Sequence, residues 1–346
     1  LTIRVHVVFT GGTIGSAPTG MSTDLVTDSD RQLLSFAPPG ADLAFTHSSP
    51  FRILSEDATL GDWSRLAGHI AGLDLDRIDA VVVAHGSDTL AWSAKALNYA
   101  LEGASTTVVM VGSDKPLTEP GSNGADNFRD AISFAATEKL PGVYVAWRNP
   151  GECTTIHLGS RLLPCDIHDD TFRSAKGLHF GEVSDGGFRR NAIEGNPSRS
   201  HLAKMADPIV GKAAMARARE GVEFSADLLV LPAMPGIPAR RLFDAHPWKA
   251  VLQLAYHSGT ASSLEGDQSL TELARNCRVG GIPLVVGPGR GSNAPYASIA
   301  RLEDAGAVFA PSMTESALVV KLRWLLGTRQ DLSALARPVG FDILDR

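Results

Sequence analysis

Two short stretches hold the side chains best suited to chemistry. In the first, an apolar run over residues 5–9 reads as a buried strand and breaks into Gly11-Gly12, with the hydroxyl of Thr13 next. Adjacent glycines let the backbone turn sharply and let a ligand approach it closely, because no Cβ stands in the way. A hydroxyl just past the carboxyl end of a strand sits where open α/β sheets bind their ligands. Taken alone, Gly-Gly-Thr fits a plain β-turn equally well. The second stretch weighs against that reading by repeating the grammar. A β-branched run over residues 80–84 stops at His85-Gly86, and Ser87, Asp88 and Thr89 follow. A third copy runs from Thr107 to Gly112 and ends in Ser113, Asp114 and Lys115. Hydroxyl, carboxylate and ammonium groups delivered by three strand ends to one crevice are hard to explain as packing.

The elements that must position these groups follow from periodicity. Residues 91–100 have helical composition, with apolar positions at Leu90, Ala94, Leu97 and Leu101. Residues 60–72 form a helix with Leu60, Trp63, Leu66, Ala67, Ile70 and Ala71 on one face, and residues 127–138 form another. Residues 51–54 read as a strand delivering Ser55, Glu56 and Asp57, and 142–147 as the fifth strand. The polar stretch 16–30 reads as a mobile lid directly after the first motif. Periodicity is weak over 149–200, apart from a hairpin expected at Asp185-Gly186-Gly187. The pattern then restarts, with strands at 227–231, 250–255 and 283–286 and helices at 270–278, 297–305 and 314–326. Alternating strands and helices in two runs predict an α/β protein: two α/β domains with largely parallel sheets, the larger N-terminal one carrying Thr13. The expected divisions are 1–200, a connector over 201–226 that is helical around 211–219, and a smaller C-terminal domain over 227–346.

Bulk composition narrows the function. The 346 residues are long enough for two domains, and 44% hydrophobic with 20% charged residues is ordinary for a soluble globular chain. A net charge of −6 gives no basic face for nucleic acid or anionic lipid. No apolar run reaches a membrane span, and no secretory pattern opens the chain, so cytoplasm is the expected location. The chain begins at Leu1, which leaves a preceding leader open. Three cysteines, Cys153, Cys165 and Cys277, form no CxxC pair, so neither a disulfide framework nor a metal site is expected. The polar run around Cys165 reads as a loop bordering the cleft. The glycine turns lack nucleotide-binding spacing, and no cofactor is expected.

Thr10 to Gly15 together with His85 to Thr89 resembles the paired signatures of the bacterial-type L-asparaginase family. Residues 109–112, 122–128, 54–57 and the C-terminal block with Ala317, Leu318, Lys321, Leu322, Trp324, Leu325 and Leu326 extend the resemblance over most of the chain. It implies hydrolysis of the side-chain amide of L-asparagine or a related small amide, with Thr13 as nucleophile and an acyl-enzyme intermediate. It implies Ser87 as the second hydroxyl (usually threonine), Asp88 on the substrate's α-ammonium group, and Ser55 and Glu56 at its amino-acid end. Backbone N–H groups near Gly12, Thr13 and Gly86 are the implied oxyanion donors. It also implies Gly12, Gly86 and Ser113 as further residues of the substrate pocket. A homodimer or homotetramer is also implied, with a small-molecule amide as the only other partner.

The chain departs from the family twice. Residues 16–35 contain no tyrosine where the family's lid supplies one, and residues 159–166 contain no lysine where the family drains a proton. Arg161 lies nearby but is effectively always protonated. Lys115, His85 and His168 are the remaining candidates for that task. Two further readings stay open: an ammonia-generating component of an amidotransferase, and a catalytically silent amino-acid-binding protein.

Overall fold

A computed structural model describes residues 2–19, 22–25, 29–38, 42–264, 269–290 and 296–344. The chain folds as two units, one of Leu1–Val222 with Val339–Phe341, the other of Glu223–Pro338 with Asp342–Arg346.

The first unit is built on ten strands: β1 (Ile3–Phe9), β2 (Ser16–Thr19), β3 (Ser22–Leu25), β4 (Leu43–Ser48), β5 (Ala80–Ala84), β6 (Thr107–Val111), β7 (Gly142–Arg148), β8 (Thr154–Leu158), β9 (Gly181–Ser184) and β10 (Gly187–Arg190). Eight of them form one sheet in the order β10-β9-β8-β7-β6-β5-β1-β4. The five from β4 to β7 are parallel, and β8, β9 and β10 continue the sheet antiparallel. Strands β5 and β6 are buried on both faces, which is why they read as unbroken β-branched runs rather than alternating ones.

The chain leaves β1 for β4 on one side and returns as β5 on the other. The carboxyl ends of β1 and β5 therefore flank the point where strand order reverses, the usual ligand position in such sheets. Both predicted motifs sit there.

Helices α1 (Ser29–Leu34), α2 (Leu60–Gly72), α3 (Leu90–Ala100), α4 (Gly124–Glu138), α5 (Arg199–Ala203) and α6 (Pro208–Gly221) complete the unit. One core joins Val5, Val7 and Phe9 of β1, Val82, Val109 and Val111 to Phe128, Ala131, Ile132 and Phe134 of α4. Helix α2 starts in a capping box, Thr59 with Asp62, and packs on α6. Helix α3 is buried nearly all round, unlike an ordinary amphipathic surface helix.

The fully buried Asn127 of α4 ties two strand ends together. Its Nδ2 donates to Gly112 O at 3.0 Å and its Oδ1 accepts from Arg148 N at 2.7 Å. Asn127→Ala strands both backbone groups in the interior. We expect it to lower unfolding free energy by about 2–4 kcal/mol, since each unsatisfied buried group costs ~1–3 kcal/mol. Urea denaturation with an unchanged m-value tests this.

The second unit has a four-stranded parallel sheet, β11 (Leu228–Leu231), β12 (Ala250–Leu254), β13 (Leu284–Gly287) and β14 (Val308–Phe309), in sequence order. Helices α7 (Ala239–Asp244), α8 (Leu270–Val279), α9 (Ala297–Ala305) and α10 (Glu315–Gly327) accompany it. Within it, Lys321 of α10 and Asp342 are fully buried and paired at 2.8 Å.

Several expectations differ from the structure. The strand read at 51–54 is only a bridge from Ile53 to Gly11, and the paired strand is β4, whose half-exposed residues carry little apolar signal. Strand β8 lies inside the stretch of weak periodicity. It is buried along its whole length, so no alternation marks it. The region read as a lid forms the β2–β3 hairpin, with residues 20, 21 and 26–28 outside the described ones. The first unit extends to Val222, beyond the boundary expected near 200. Its last helix, α6, falls in the stretch read as a connector, because the apolar face of α6 packs against α2.

Candidate active site

The first motif turns under steric compulsion. Ile53 N donates to Thr10 O and Gly12 N to Ile53 O, pinning Gly11 and Gly12 against the segment that leads to Ser55. Gly12 adopts φ 78° and ψ −177°, a region that essentially only glycine occupies. A Cβ built on it would fall 2.2 Å from Gly86 Cα. The Thr13 backbone is thus carried on a turn in direct backbone contact with the second motif. Ser16 Oγ closes the turn by donating to Gly12 O at 2.8 Å.

The second motif is fixed from two sides. His85 N donates to Val111 O at 2.8 Å, and its Nδ1–H donates to Gly86 O at 2.8 Å. Burial lowers the His85 pKa, only partly offset by that carbonyl, so the ring is neutral and serves the turn. A Cβ on Gly86 would strike Ser55 Oγ at 2.4 Å. Ser55 is buried, its Oγ donates to Asp88 Oδ2 at 3.0 Å, and its carbonyl accepts from Thr89 Oγ1 at 2.9 Å. Ser55, Gly86 and Asp88 therefore meet beside Gly12 and Thr13, with Asp88 open to solvent and Thr13 and Ser87 half-buried.

Other predicted residues are placed less closely. Gly112 packs against His85 O, and Ser113 after it is fully buried, with a hydroxyl that finds no partner among the described residues. Asp114 is clasped by Asn123 through reciprocal bonds of 2.9 and 3.0 Å. Lys115 and Glu56 are exposed, and among the described residues no ion pair joins either to the group around Asp88. The loop after Leu162 carries Cys165, whose thiol feels the charge of Asp88. Burial first, then the charges of Asp170 and Asp88, push the Cys165 thiol up to about 11.

Of the candidates for the missing lysine, Arg161 is buried and turned elsewhere. Its Nε donates to Phe341 O and its NH1 to Gly195 O, both at 2.8 Å. Some supporting contacts escape a reading of the sequence. Thr89 holds Ser55, and Asn123 and Asn127 brace the third motif. A further omission is Lys95 in the middle of α3, fully buried, with Nζ donating to Ala91 O at 3.0 Å and to Leu162 O. A single charged residue inside an otherwise uncharged helix was the signal for it. Burial pushes its pKa down from 10.5 to about 7.

These values set a pH dependence. Between about 7 and 10.5 the unfolded chain holds the Lys95 proton and the folded chain does not, so this residue's contribution to stability rises with pH. Relative to Lys95→Met, the wild type gains stability as pH goes from about 7 to about 10. Paired thermal melts across that range measure the difference.

A family model described as Asparaginase, N-terminal, matches residues 4–192. The match covers more than half of the chain and takes in all three motifs. The chain belongs to the asparaginase family. An L-asparaginase of Thermococcus kodakarensis is 26% identical over 97% of this chain and 96% of its own length. L-asparaginase 1 of Escherichia coli is 25% identical over 96% and 94%. A component of the glutamyl-tRNA(Gln) amidotransferase of Methanobrevibacter smithii is 26% identical over 96% of this chain and 74% of its own length. The solved thermostable L-asparaginase of T. kodakarensis shares the fold, with a TM-score of 0.79 over 99% of this chain and 100% of that one at 24% identity. At that identity the likeness speaks for the fold alone. No helix among the described residues is long and apolar enough to cross a membrane.

Ser55 is expected from the family resemblance to hold the amino-acid end of a substrate, and its bond to Asp88 makes that expectation testable. Ser55→Ala deletes a bond to a carboxylate, worth ~1.5–3 kcal/mol when shielded and less at this exposed Asp88. We expect the KM for an amino-acid amide to rise about 3- to 30-fold with a smaller change in kcat, read from steady-state ammonia release.

Proposed function

We propose that this asparaginase-family chain hydrolyses the side-chain amide of L-asparagine or a related small amide, with Thr13 as nucleophile. The observation that carries the reading is the backbone contact of Gly12 with Gly86, beside the Ser55–Asp88 bond. The turn that carries Thr13 is in backbone contact with the turn that leads to Asp88, whose carboxylate we read as the acceptor for an ammonium group. Thr13 Oγ attacks the amide carbon, and backbone N–H groups of the two glycine turns receive the developing oxyanion. Collapse expels ammonia and leaves an acyl-Thr13 ester, which water then cleaves. Asp88 recognises the α-ammonium group, and Ser55 and Glu56 hold the amino-acid end. Ser87 supplies the second hydroxyl.

Ammonia release from a panel of L- and D-asparagine, glutamine, simple β-amides and cyclic imides tests the reading, with Thr13→Ala as control. Release from asparagine supports the substrate as stated, and release from another amide alone moves the substrate. Silence across the panel, with amino-acid binding still seen by thermal shift, replaces the hydrolase with a binding protein. The similarity to the amidotransferase component of M. smithii favours one second reading, an ammonia-generating member of a larger complex. It predicts weak turnover by the chain alone and strong stimulation by a partner. The family's homodimeric or homotetrameric assembly is proposed for this chain too, and light scattering measures it.

A further inference from the structure

Away from the glycine turns, two histidines share one hydroxyl at the edge of the first unit's sheet. His6 of β1 is buried, on the strand face opposite Val5, Val7 and Phe9. Its Nδ1 lies 2.7 Å from Thr46 Oγ1 and its Nε2 lies 2.8 Å from Ser48 Oγ, both on β4. The same Ser48 Oγ lies 2.6 Å from Nε2 of the half-buried His69 on α2. One hydroxyl thus joins three elements. Strand β4 is an edge strand, paired with β1 alone. Beyond it the chain passes Ser49, whose hydroxyl donates to Phe9 O at 3.1 Å, and Ile53, which is bridged to Gly11. It then reaches Ser55 and the bond to Asp88. What fastens β4 therefore also fastens the approach to the candidate active site.

Counting protons shows what this cluster tolerates. The Ser48 hydroxyl has one proton, so it donates to one ring and accepts from the other. With both rings neutral, every bond is made, running either from Thr46 through His6 and Ser48 to His69 or the reverse. A first proton also fits. Placed on His69, it leaves Nε2–H donating to Ser48, Ser48 donating to His6, and His6 Nδ1–H donating to Thr46. A second proton does not fit. Both rings then aim an N–H at one oxygen, and the Ser48 proton loses its acceptor. Two positive rings would also face each other with both nitrogens within 2.8 Å of that oxygen.

The surroundings offer no compensating carboxylate. Among the described residues, the charges that bear on His6 are those of His69 and His47. His47 of β4 lies against Phe9, on the other face of the sheet. Strand β5 carries no titratable side chain, and Arg4 of β1 pairs with Asp79. On α2, Asp62 pairs with Arg65. On α6, which packs on α2, Arg219 bonds to Ala71 O, and Lys212, Arg217 and Glu220 are exposed. On α3, Lys95 bonds to Ala91 O and Leu162 O. Burial lowers the pKa of both rings, and the charges of His69 and His47 lower that of His6 further. The unfolded chain therefore binds more protons once pH falls below about 6.5, and the stability these rings contribute is lost in that direction.

We propose that the His6–Ser48–His69 cluster is a pH-operated latch on the edge of the sheet. Near neutral pH it holds β4, and the segment that leads to Ser55, against β1 and α2. In acid the second histidine takes up its proton, the shared hydroxyl can no longer serve both rings, and the edge strand is released. The latch stands apart from the amidohydrolase reading, because its opening is read without turnover.

The test is amide hydrogen exchange read by mass spectrometry between about pH 7.5 and about pH 5.5, corrected for the intrinsic pH dependence of exchange. In the wild type, peptides covering residues 43–55 should open about 10-fold or more readily at the acid end, while β5 and β6 stay protected. His69→Gln offers Ser48 a neutral amide, so a lone proton on His6 leaves every bond made. Its acid opening should vanish. Wild-type exchange that is flat across the range, or a folded His69→Gln that opens as the wild type does, overturns the latch. Should His69→Gln fail to fold by circular dichroism, long-range ¹H–¹⁵N NMR of the wild-type histidines decides. Separate titrations of His6 and His69 support the proposal, and one shared step near 6.5 or no second step before unfolding overturns it. Ammonia release measured at neutral pH judges the hydrolase reading separately, and its absence leaves the exchange result standing.

Discussion

Thr13→Ala should reduce ammonia release by at least about 10³-fold while leaving the thermal melt nearly unchanged. Removing the nucleophile of a cooperating catalytic group typically costs ~10⁴- to 10⁶-fold, and what survives comes from binding and oxyanion stabilisation. Stability should hold because Thr13 is half-buried and, among the described residues, its hydroxyl makes no hydrogen bond that the fold depends on. The turn around it is set by Gly11, Gly12 and the Ser16 bond to Gly12 O. The pairing of lost turnover with retained melting separates a chemical role from a structural one. Thr13→Ser keeps the hydroxyl and should retain a measurable fraction of the rate.

Gly12→Ala should have the opposite signature, losing activity and stability together. A Cβ here meets Gly86 Cα at 2.2 Å and Gly86 N at 2.3 Å. These atoms are backbone, so no flexible side chain can give way. The glycine also sits at φ 78°, ψ −177°, where an L-residue is strained by about 1–3 kcal/mol. Overpacking adds about 1–3 kcal/mol. The sum, about 2–6 kcal/mol, is a large part of the stability of an ordinary domain. The expected result is a clearly lowered denaturant midpoint, with little or no turnover in the folded fraction. A melt equal to the wild type would mean that the two glycine turns do not touch as described.

These two residues were legible in the sequence because their signals are local. Buried parallel strands announce themselves as runs such as residues 80–84, and the glycines that end them mark where a turn must fold back. The resemblance to the asparaginase family then attached roles to Thr13, Ser87 and Asp88. What stayed hidden depends on contacts across long sequence distances. Ser55 reaches Asp88 across 33 residues, and Asn127 reaches Gly112 across 15. No pattern in either segment fixes those partners. Strand β4 was displaced to residues 51–54 because an edge strand with half its side chains in water has weak alternation, whereas the apolar Phe51 and Ile53 look like a strand core. Lys95 was passed over because helix periodicity places a residue on a face and says nothing of whether that face meets water.

The antiparallel extension from β7 to β10 shows the same limit. Its strands lie in a stretch rich in turns, and β10 is half-exposed, so the sequence carries a hairpin signal at Asp185-Gly186 and little else. The expected sheet was largely parallel. The observed one is parallel where the site is built and antiparallel beyond it. The residues predicted for the site follow β1, β5 and β6 of the parallel part, so their reading did not depend on the antiparallel strands.

The most direct test of the account is to trap the enzyme in mid-turnover. The wild-type chain is mixed with L-asparagine, quenched in acid within one turnover, digested, and mapped by mass spectrometry. The account predicts an aspartyl ester on the peptide that contains Thr13, absent in Thr13→Ala. Turnover without any acyl adduct, or an adduct on Ser87 with Thr13 unmodified, would contradict it.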